Sequence, residues 1–67
     1  MPPAERRLAE LLEQFISAQR RGRFPSAAVR REIESAVQHA DNGTVRRAWD
    51  RARLRANARH TQYTPHN

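Results

Sequence analysis

The sequence predicts an all-α fold, either a small three-helix bundle or a helical hairpin, completed by dimerisation. Three observations predict it: apolar residues recur at helical spacing in three segments, turn-forming residues separate these segments, and no segment shows the apolar–polar alternation of a half-buried strand. The 67 residues suffice for one small domain, which buries only about 60 % of its unfolded surface. Because the chain has no cysteine, association of two copies is the expected source of further stability.

The first helix is predicted over residues 4–21 and carries most of the large apolar side chains on one broad arc, with Glu10 and Glu13 on the opposite face. Gly22 is the expected C-cap. The arc spans about 160°, more than the narrow stripes of the other helices can cover, so its surplus is predicted to meet a second copy of the same helix. The predicted core and dimer residues are Leu8, Leu11, Leu12, Phe15 and Ile16, with Trp49 from the third helix.

A short connector and a second helix, predicted over residues 27–40, follow. Phe24 precedes a proline, which biases it to extended geometry, and its ring is expected to fold back onto the core. Ser26 is the expected N-cap of the second helix. Asp41-Asn42-Gly43 is then predicted to form a turn.

The third helix is predicted over residues 44–60 with Thr44 as its N-cap, because Ala and Arg are strong helix formers and neither Gly nor Pro interrupts the run. Its apolar stripe is mostly alanine, so a partner helix can approach closely, and only Val45 and Trp49 are expected to add much to the core. Leu54 falls on the back of this helix, among the arginines. Residues 1–60 therefore form the predicted domain, and residues 61–67 a disordered tail.

The basic residues of the chain are all arginine. The sequence holds 13 Arg, no Lys and a formal net charge of +6. A GC-rich coding sequence, or a gene that overlaps another reading frame, is one explanation of this bias. The physical consequence is the same in either case, because Arg makes planar bidentate contacts with phosphate and stacks on bases. The charge predicts a polyanionic partner, and nucleic acid is the commonest polyanion inside cells.

Arginine is densest on the third helix, where only Asp50 offsets six arginines, and their mutual repulsion is costly without an anionic partner. The run from Thr44 to His60 resembles the arginine-rich helices with which some viral and phage proteins bind structured RNA, and the resemblance implies RNA as the ligand. The predicted nucleic-acid-binding residues are Arg46, Arg47, Arg51, Arg53, Arg55 and Arg59 on this helix, with Arg23, Arg30 and Arg31 before it.

Few side chains on the third helix can hydrogen-bond to base edges, and Asn57 is the one central candidate. A surface made mostly of arginine recognises backbone and shape, which is how double-stranded RNA is largely recognised. The first functional prediction is therefore a regulator, or a protein that sequesters duplexes, which binds duplex or structured RNA as a homodimer. A DNA-binding helix-turn-helix regulator is the alternative. A second alternative is a protein-interaction module, an inhibitor or adaptor, that docks on an acidic partner.

Other classes of function have little support in the sequence. His39, His60 and His66 have no metal-ligand spacing, and there is no Gly-rich phosphate loop, so no enzyme, metal, cofactor or small-molecule substrate is predicted. No apolar run approaches the roughly 18 residues of a membrane span, and the alanine stripe offers little to insert into a membrane surface. Since the N-terminus lacks the pattern of a signal peptide, a cytoplasmic or other intracellular location is expected.

Overall fold

The computed structural model describes the backbone of residues 3–63 and the side chains of residues 3–58. It contains three α-helices, α1 (Pro3–Arg20), α2 (Ala27–Gln38) and α3 (Asn42–Tyr63), and no strand over that part of the chain. The prediction of an all-α fold with three helices is confirmed. Over the same residues, no helix is long and apolar enough to cross a lipid bilayer.

Helix α1 ends in a hydrogen-bonded cap built around Gly22. The N–H of Gly22 donates to the carbonyl of Gln19 (3.0 Å) and the N–H of Arg23 donates to the carbonyl of Ala18 (2.8 Å), which are the two bonds of a Schellman motif. Gly22 has a φ of 68°, a left-handed conformation in which a side chain would be strained. The predicted C-cap is confirmed, and the helix ends at Arg20, one residue earlier than predicted.

Helix α2 is capped at both ends. The Oγ of Ser26 accepts a hydrogen bond from the N–H of Val29 (3.2 Å), which confirms the predicted N-cap. The helix ends at Gln38, two residues before its predicted end, with His39 as C-cap. The Nδ1 of His39 lies 2.7 Å from a carbonyl oxygen one turn earlier. Two residues after this C-cap, Asp41 takes the capping position of the next helix.

Helix α3 begins two residues before its predicted start, and its N-cap is Asp41 rather than Thr44. The Oδ1 of Asp41 accepts the N–H of Thr44 (2.7 Å), and the carbonyl of Asp41 accepts the N–H of Val45 (3.1 Å). Asn42 and Gly43, predicted to form a turn, are the first two residues of the helix. A carboxylate is a better cap here than the threonine hydroxyl because it also brings a negative charge to the positive end of the helix dipole.

Helix α3 also continues past residue 60, to Tyr63. The helix was predicted to end three residues earlier, and residues 64–67 of the predicted disordered tail lie outside the described part of the chain. Neither Gly nor Pro occurs between Thr44 and Tyr63, so nothing local stops the helix earlier.

The centre of the core is the contact between α1 and α3. Ala48 and Ala52 of α3 are fully buried, with 0 % of their surface exposed. They pack against Leu8, Ala9 and Leu12 of α1. Because alanine projects only a methyl group from the helix surface, the two helices can pack at short range.

The prediction that α3 contributes little to the core beyond Val45 and Trp49 is wrong. Those two side chains are half-buried at the edge of the core, whereas the alanine stripe, extended by the buried Ala56, lies at its centre. The prediction ranked residues by volume. Burial in a helix depends first on which face meets the neighbouring helix, whatever the size of the side chains on it.

Helix α1 packs against both other helices, so much of its broad apolar arc is covered within one chain. Its three core leucines are each 1 % exposed. They are Leu8, Leu11 and Leu12, whereas Phe15 and Ile16 are half-buried. On the side facing α2, Arg7 forms an ion pair with Glu32 (2.9 Å), and this hydrogen bond raises the pKa of the Arg7 guanidinium. The apolar surface of α1 that stays uncovered, on which the prediction of a second copy was based, is therefore smaller than the sequence of the helix alone indicates.

The N-cap of α3 predicts a specific acid sensitivity. The backbone N–H of Thr44 holds the pKa of Asp41 below its ordinary value, helped by the Thr44 hydroxyl and by the charge of Arg47. Because the folded-state pKa is depressed, the stabilisation is complete above the unfolded value, about pH 4, and is lost as the pH falls through the folded value. Asp41→Asn keeps a capping oxygen without the titration.

Thermal unfolding followed by circular dichroism should therefore show the wild type losing its advantage over Asp41→Asn as the pH falls below about 4. Other carboxylates titrate in both proteins, so the difference between the two curves reports Asp41 alone. A difference in Tm that stays constant from neutral pH to pH 2, a range of about 5 pH units, would contradict the assigned cap.

Candidate nucleic-acid interface

Two ion pairs join α1 to α3 and orient arginines of the third helix. The Nε of Arg47 lies 3.0 Å from the Oε1 of Glu5, and the Nε of Arg55 lies 3.2 Å from the Oε1 of Glu13. Both carboxylates are nearly buried, whereas both arginine side chains are about half exposed. Since the paired positions follow the same order on the two helices, α1 and α3 run parallel.

One flank of α3 carries Arg47, Arg51 and Arg55, which we call the Glu-side arginines. They follow one another at one-turn spacing, and all three are exposed. Arg47 is held most firmly, because its Nη2 also donates to the Oγ1 of Thr44 at 3.3 Å. An arginine already held in place loses less side-chain entropy when its outward donors bind a phosphate. The buried carboxylates, however, offset the charges of Arg47 and Arg55, whereas Arg51 is in none of the ion pairs formed within residues 3–58.

The two glutamates were not predicted to belong to the site. Glu13 was placed on the face of α1 opposite the apolar arc, and this is wrong, because it is 5 % exposed and faces α3. Burial of a carboxylate is tolerated when a cation pairs with it. The spacing offered a clue: Glu5 and Glu13 are as far apart in sequence as Arg47 and Arg55, which suits two parallel helices packed side by side.

The other flank of α3 carries Arg46 and Arg53, which we call the Trp49-side arginines. The guanidinium carbon of Arg53 lies 5.6 Å from the ring centroid of Trp49, within cation–π range. The Phe15 ring meets Trp49 edge to face, with centroids 6.3 Å apart and planes at 80°. Arg46, Trp49 and Arg53 line an open groove together with Asn42, Val45 and Asp50, so two arginines there face one carboxylate. Trp49, predicted as a core residue, therefore packs at the core's edge and also contacts a basic groove.

The remaining predicted site residues are dispersed. Arg23 lies in the cap of α1, and Arg30 and Arg31 lie in the first half of α2, all exposed. Of these, Arg30 comes close to α3, because it lines one cleft with Trp49. Arg59 is helical, but its side chain lies outside the described residues. The structure thus brings Arg30 and the Trp49-side arginines around one tryptophan and places the Glu-side arginines on the opposite flank.

Two further residues separate the flanks of α3. Leu54 is 70 % exposed, which confirms its predicted position on the back of the helix. Asn57, the central candidate for base recognition, accepts a hydrogen bond from Arg20 of α1. Its side-chain oxygen is therefore already engaged within the protein, and little on the exposed face of α3 remains to discriminate bases.

Fold and surface together define a class: a small all-α protein whose longest helix buries alanines and exposes arginines. No group of three His, Asp or Glu side chains placed to hold a metal ion occurs among the described residues. Comparison with protein-family models, with curated proteins and with solved structures finds no match to this chain.

Proposed function

We propose that this protein binds duplex or structured RNA independently of sequence, through arginine contacts with phosphates along α3, and without catalysis. One observation carries the proposal: the five arginines of α3 with described side chains are all exposed. They lie on a helix of 22 residues, about 33 Å long, whose buried stripe holds it rigidly on α1. A polyanion laid along this helix would relieve the repulsion among the arginines and gain charge-assisted hydrogen bonds.

The chemistry of α3 favours recognition of the backbone over recognition of bases. Guanidinium groups bind phosphate oxygens bidentately, whereas discrimination of bases needs amide and hydroxyl side chains aimed at base edges. The central amide of the helix, Asn57, is engaged by Arg20. This supports a ligand recognised by shape and charge, and double-stranded RNA is largely recognised in that way.

The arrangement of the helices gives RNA priority over the DNA-binding alternative. A helix-turn-helix packs its first helix against its recognition helix, which enters the major groove. Here α2 and α3 pack mainly on α1 and make little contact with each other. Helix α2 therefore does not pack against α3 in the way that the first helix of a helix-turn-helix packs against its recognition helix.

The proposal is tested by fluorescence anisotropy with equal-length duplex RNA and duplex DNA, with heparin as competitor, over a range of salt concentrations. We expect tighter binding to RNA than to DNA and no dependence on base sequence. Log K should fall linearly with log salt, by about 0.7–0.9 for each phosphate neutralised. Preference for one DNA sequence would favour the helix-turn-helix alternative. Failure to bind either duplex at low salt would contradict the proposal and favour an acidic protein as the partner.

We further propose that the active form is a homodimer joined at the cleft between α2 and α3. The apolar side chains of Leu12, Phe15, Ile33 and Trp49 line this cleft together with the charged Arg30 and Glu34, and Phe15, Ile33 and Trp49 remain half-buried in one chain. Val37, one turn beyond Ile33 on α2, is also exposed. For a domain of this size, covering that surface with a second copy adds apolar burial that the single chain lacks.

Val37→Glu is expected to break this dimer, because it places a charge on the apolar surface between the copies. Sedimentation equilibrium should give the wild type twice its 7.8 kDa chain mass and the variant a single chain mass, with helicity unchanged. Leu54→Glu is the matched control on the back of α3 and should remain dimeric. A monomeric wild type at high protein concentration, or a dimeric Val37→Glu, would rule out this interface.

A further inference from the structure

Phe24, in the connector between α1 and α2, is the most exposed large apolar side chain of the described residues. It is 91 % exposed, so the prediction that it folds back onto the core is wrong. The residue before proline is biased toward an extended backbone, and this bias does not by itself bring the ring onto the core. The ring is nevertheless carried on a well-defined backbone, because Arg23 closes the Schellman motif on one side and Pro25 fixes φ on the other.

A groove of about 510 Å³ runs beside the Phe24 ring. Its apolar lining comes from Phe24, Pro25 and Phe15. Gln19, Arg23 and Arg30 supply its polar groups. The groove therefore combines an exposed aromatic face with an amide and two guanidinium groups, the side-chain types that bind single-stranded nucleic acid.

The charge around this groove selects an anionic occupant. Between Arg20 and Arg31 the chain holds five arginines and no carboxylate. None of the ion pairs formed within residues 3–58 involves Arg23 or Arg30. Glutamates lie nearby in two adjoining depressions: Glu34 in the α2–α3 cleft, and Glu10 and Glu13 on the other side of Phe24. Of these, Glu13 is already paired with Arg55.

We propose that Phe24 stacks on an unpaired base of the bound nucleic acid while Arg23 and Arg30 contact the phosphates beside it. This inference rests on the proposed function and specifies its ligand, a duplex that carries unpaired nucleotides at an end or in a loop. Bases inside a continuous duplex are stacked on their neighbours and offer no free face. An unpaired base offers one, and any base can use it because every base has a π face.

The test compares a blunt duplex RNA with the same duplex bearing a short single-stranded extension that contains 2-aminopurine. The wild type is expected to bind the extended RNA more tightly and to quench the 2-aminopurine fluorescence. Phe24→Ala should abolish the quenching and weaken binding of the extended RNA about 5- to 150-fold, with binding of the blunt duplex unchanged. Phe24→Tyr should keep both properties, because it keeps an aromatic ring.

Gln38→Ala shortens an exposed, uncharged side chain of α2 that does not line the groove, and it is the matched control, expected to bind both RNAs as the wild type does. Because the Phe24 ring is exposed, Phe24→Ala should also melt at the wild-type temperature. Equal binding of the extended RNA by Phe24→Ala and wild type would overturn the inference and leave the proposed function standing. If Phe24→Ala lost the same factor of affinity for the blunt and the extended RNA, the inference would also be overturned and the proposed function would stand. Failure of the wild type to bind either RNA at low salt would contradict both the proposed function and this inference, and would favour an acidic protein as the partner of the basic surface.

Discussion

Replacing Leu12 by alanine is expected to lower the free energy of unfolding by about 2–5 kcal/mol. Leu12 is 1 % exposed and packs in the core with Ala48 and Ala52. The facing alanines have no further atoms to move into the vacated space, so much of the cavity should remain and add to the lost transfer free energy. Small domains have little stability to spare, and a loss of this size should leave much of the protein unfolded near room temperature.

Leu54→Ala is the control for this experiment, since it makes the same chemical change at a side chain that is 70 % exposed. It should alter stability by no more than about 0.5 kcal/mol. Urea unfolding followed by circular dichroism measures both variants, at one protein concentration because a dimer's stability depends on concentration. Equal midpoints for Leu12→Ala and Leu54→Ala would show that the α1–α3 contact is not the core.

Replacing Arg46, Arg51 and Arg53 together by alanine is expected to weaken binding of duplex RNA by at least about 100-fold at low salt. These three lie outside the ion pairs formed within residues 3–58, so no such pair offsets their charges. The magnitude of the negative slope of log K against log salt should decrease by about 2–3, because each arginine removed takes away one phosphate contact. Helicity should be retained, because alanine is a strong helix former.

Arg47 and Arg55 stay in place in this variant, because removing either would take an ion-pair partner from a nearly buried carboxylate and destabilise the fold. The matched comparison is between single variants of equal charge change. Arg51→Ala on α3 should weaken binding clearly, whereas Arg6→Ala on α1 should have little effect. If the triple variant binds with wild-type affinity, the nucleic-acid contacts lie on another surface; if Arg6→Ala weakens binding as much as Arg51→Ala, only net charge matters.

The helices and their ends were largely predictable, because the features that set them are local. Gly22 ends α1 by adopting a left-handed backbone conformation, and Ser26 begins α2 by accepting a nearby N–H. The start of α3 was misplaced because Asp41 and Thr44 are both good caps, three residues apart. Distinguishing them needs the path of the chain out of α2.

The stripe of α3 was also predictable, but its importance was not. Helical spacing placed Ala48, Ala52 and Ala56 on one face correctly, and all three are buried. Because these side chains are small, the sequence predicted that this face contributes little to the core. The leucines that cover this face lie on α1, and only the packing of the two helices shows that large and small residues meet there.

By itself, the sequence determined that this protein is helical, that Gly22 caps α1 and Ser26 caps α2, and that its excess charge is arginine concentrated on the last helix. These properties depend on residues within a few positions of one another or on composition alone. The tertiary structure decided which arginines are offset and which are not, because Arg47 and Glu5 are 42 residues apart and meet only when α1 and α3 pack in parallel. It also decided that the Phe24 ring is exposed, because the direction of this ring depends on the path of the connector between α1 and α2, which the local residue pattern does not specify.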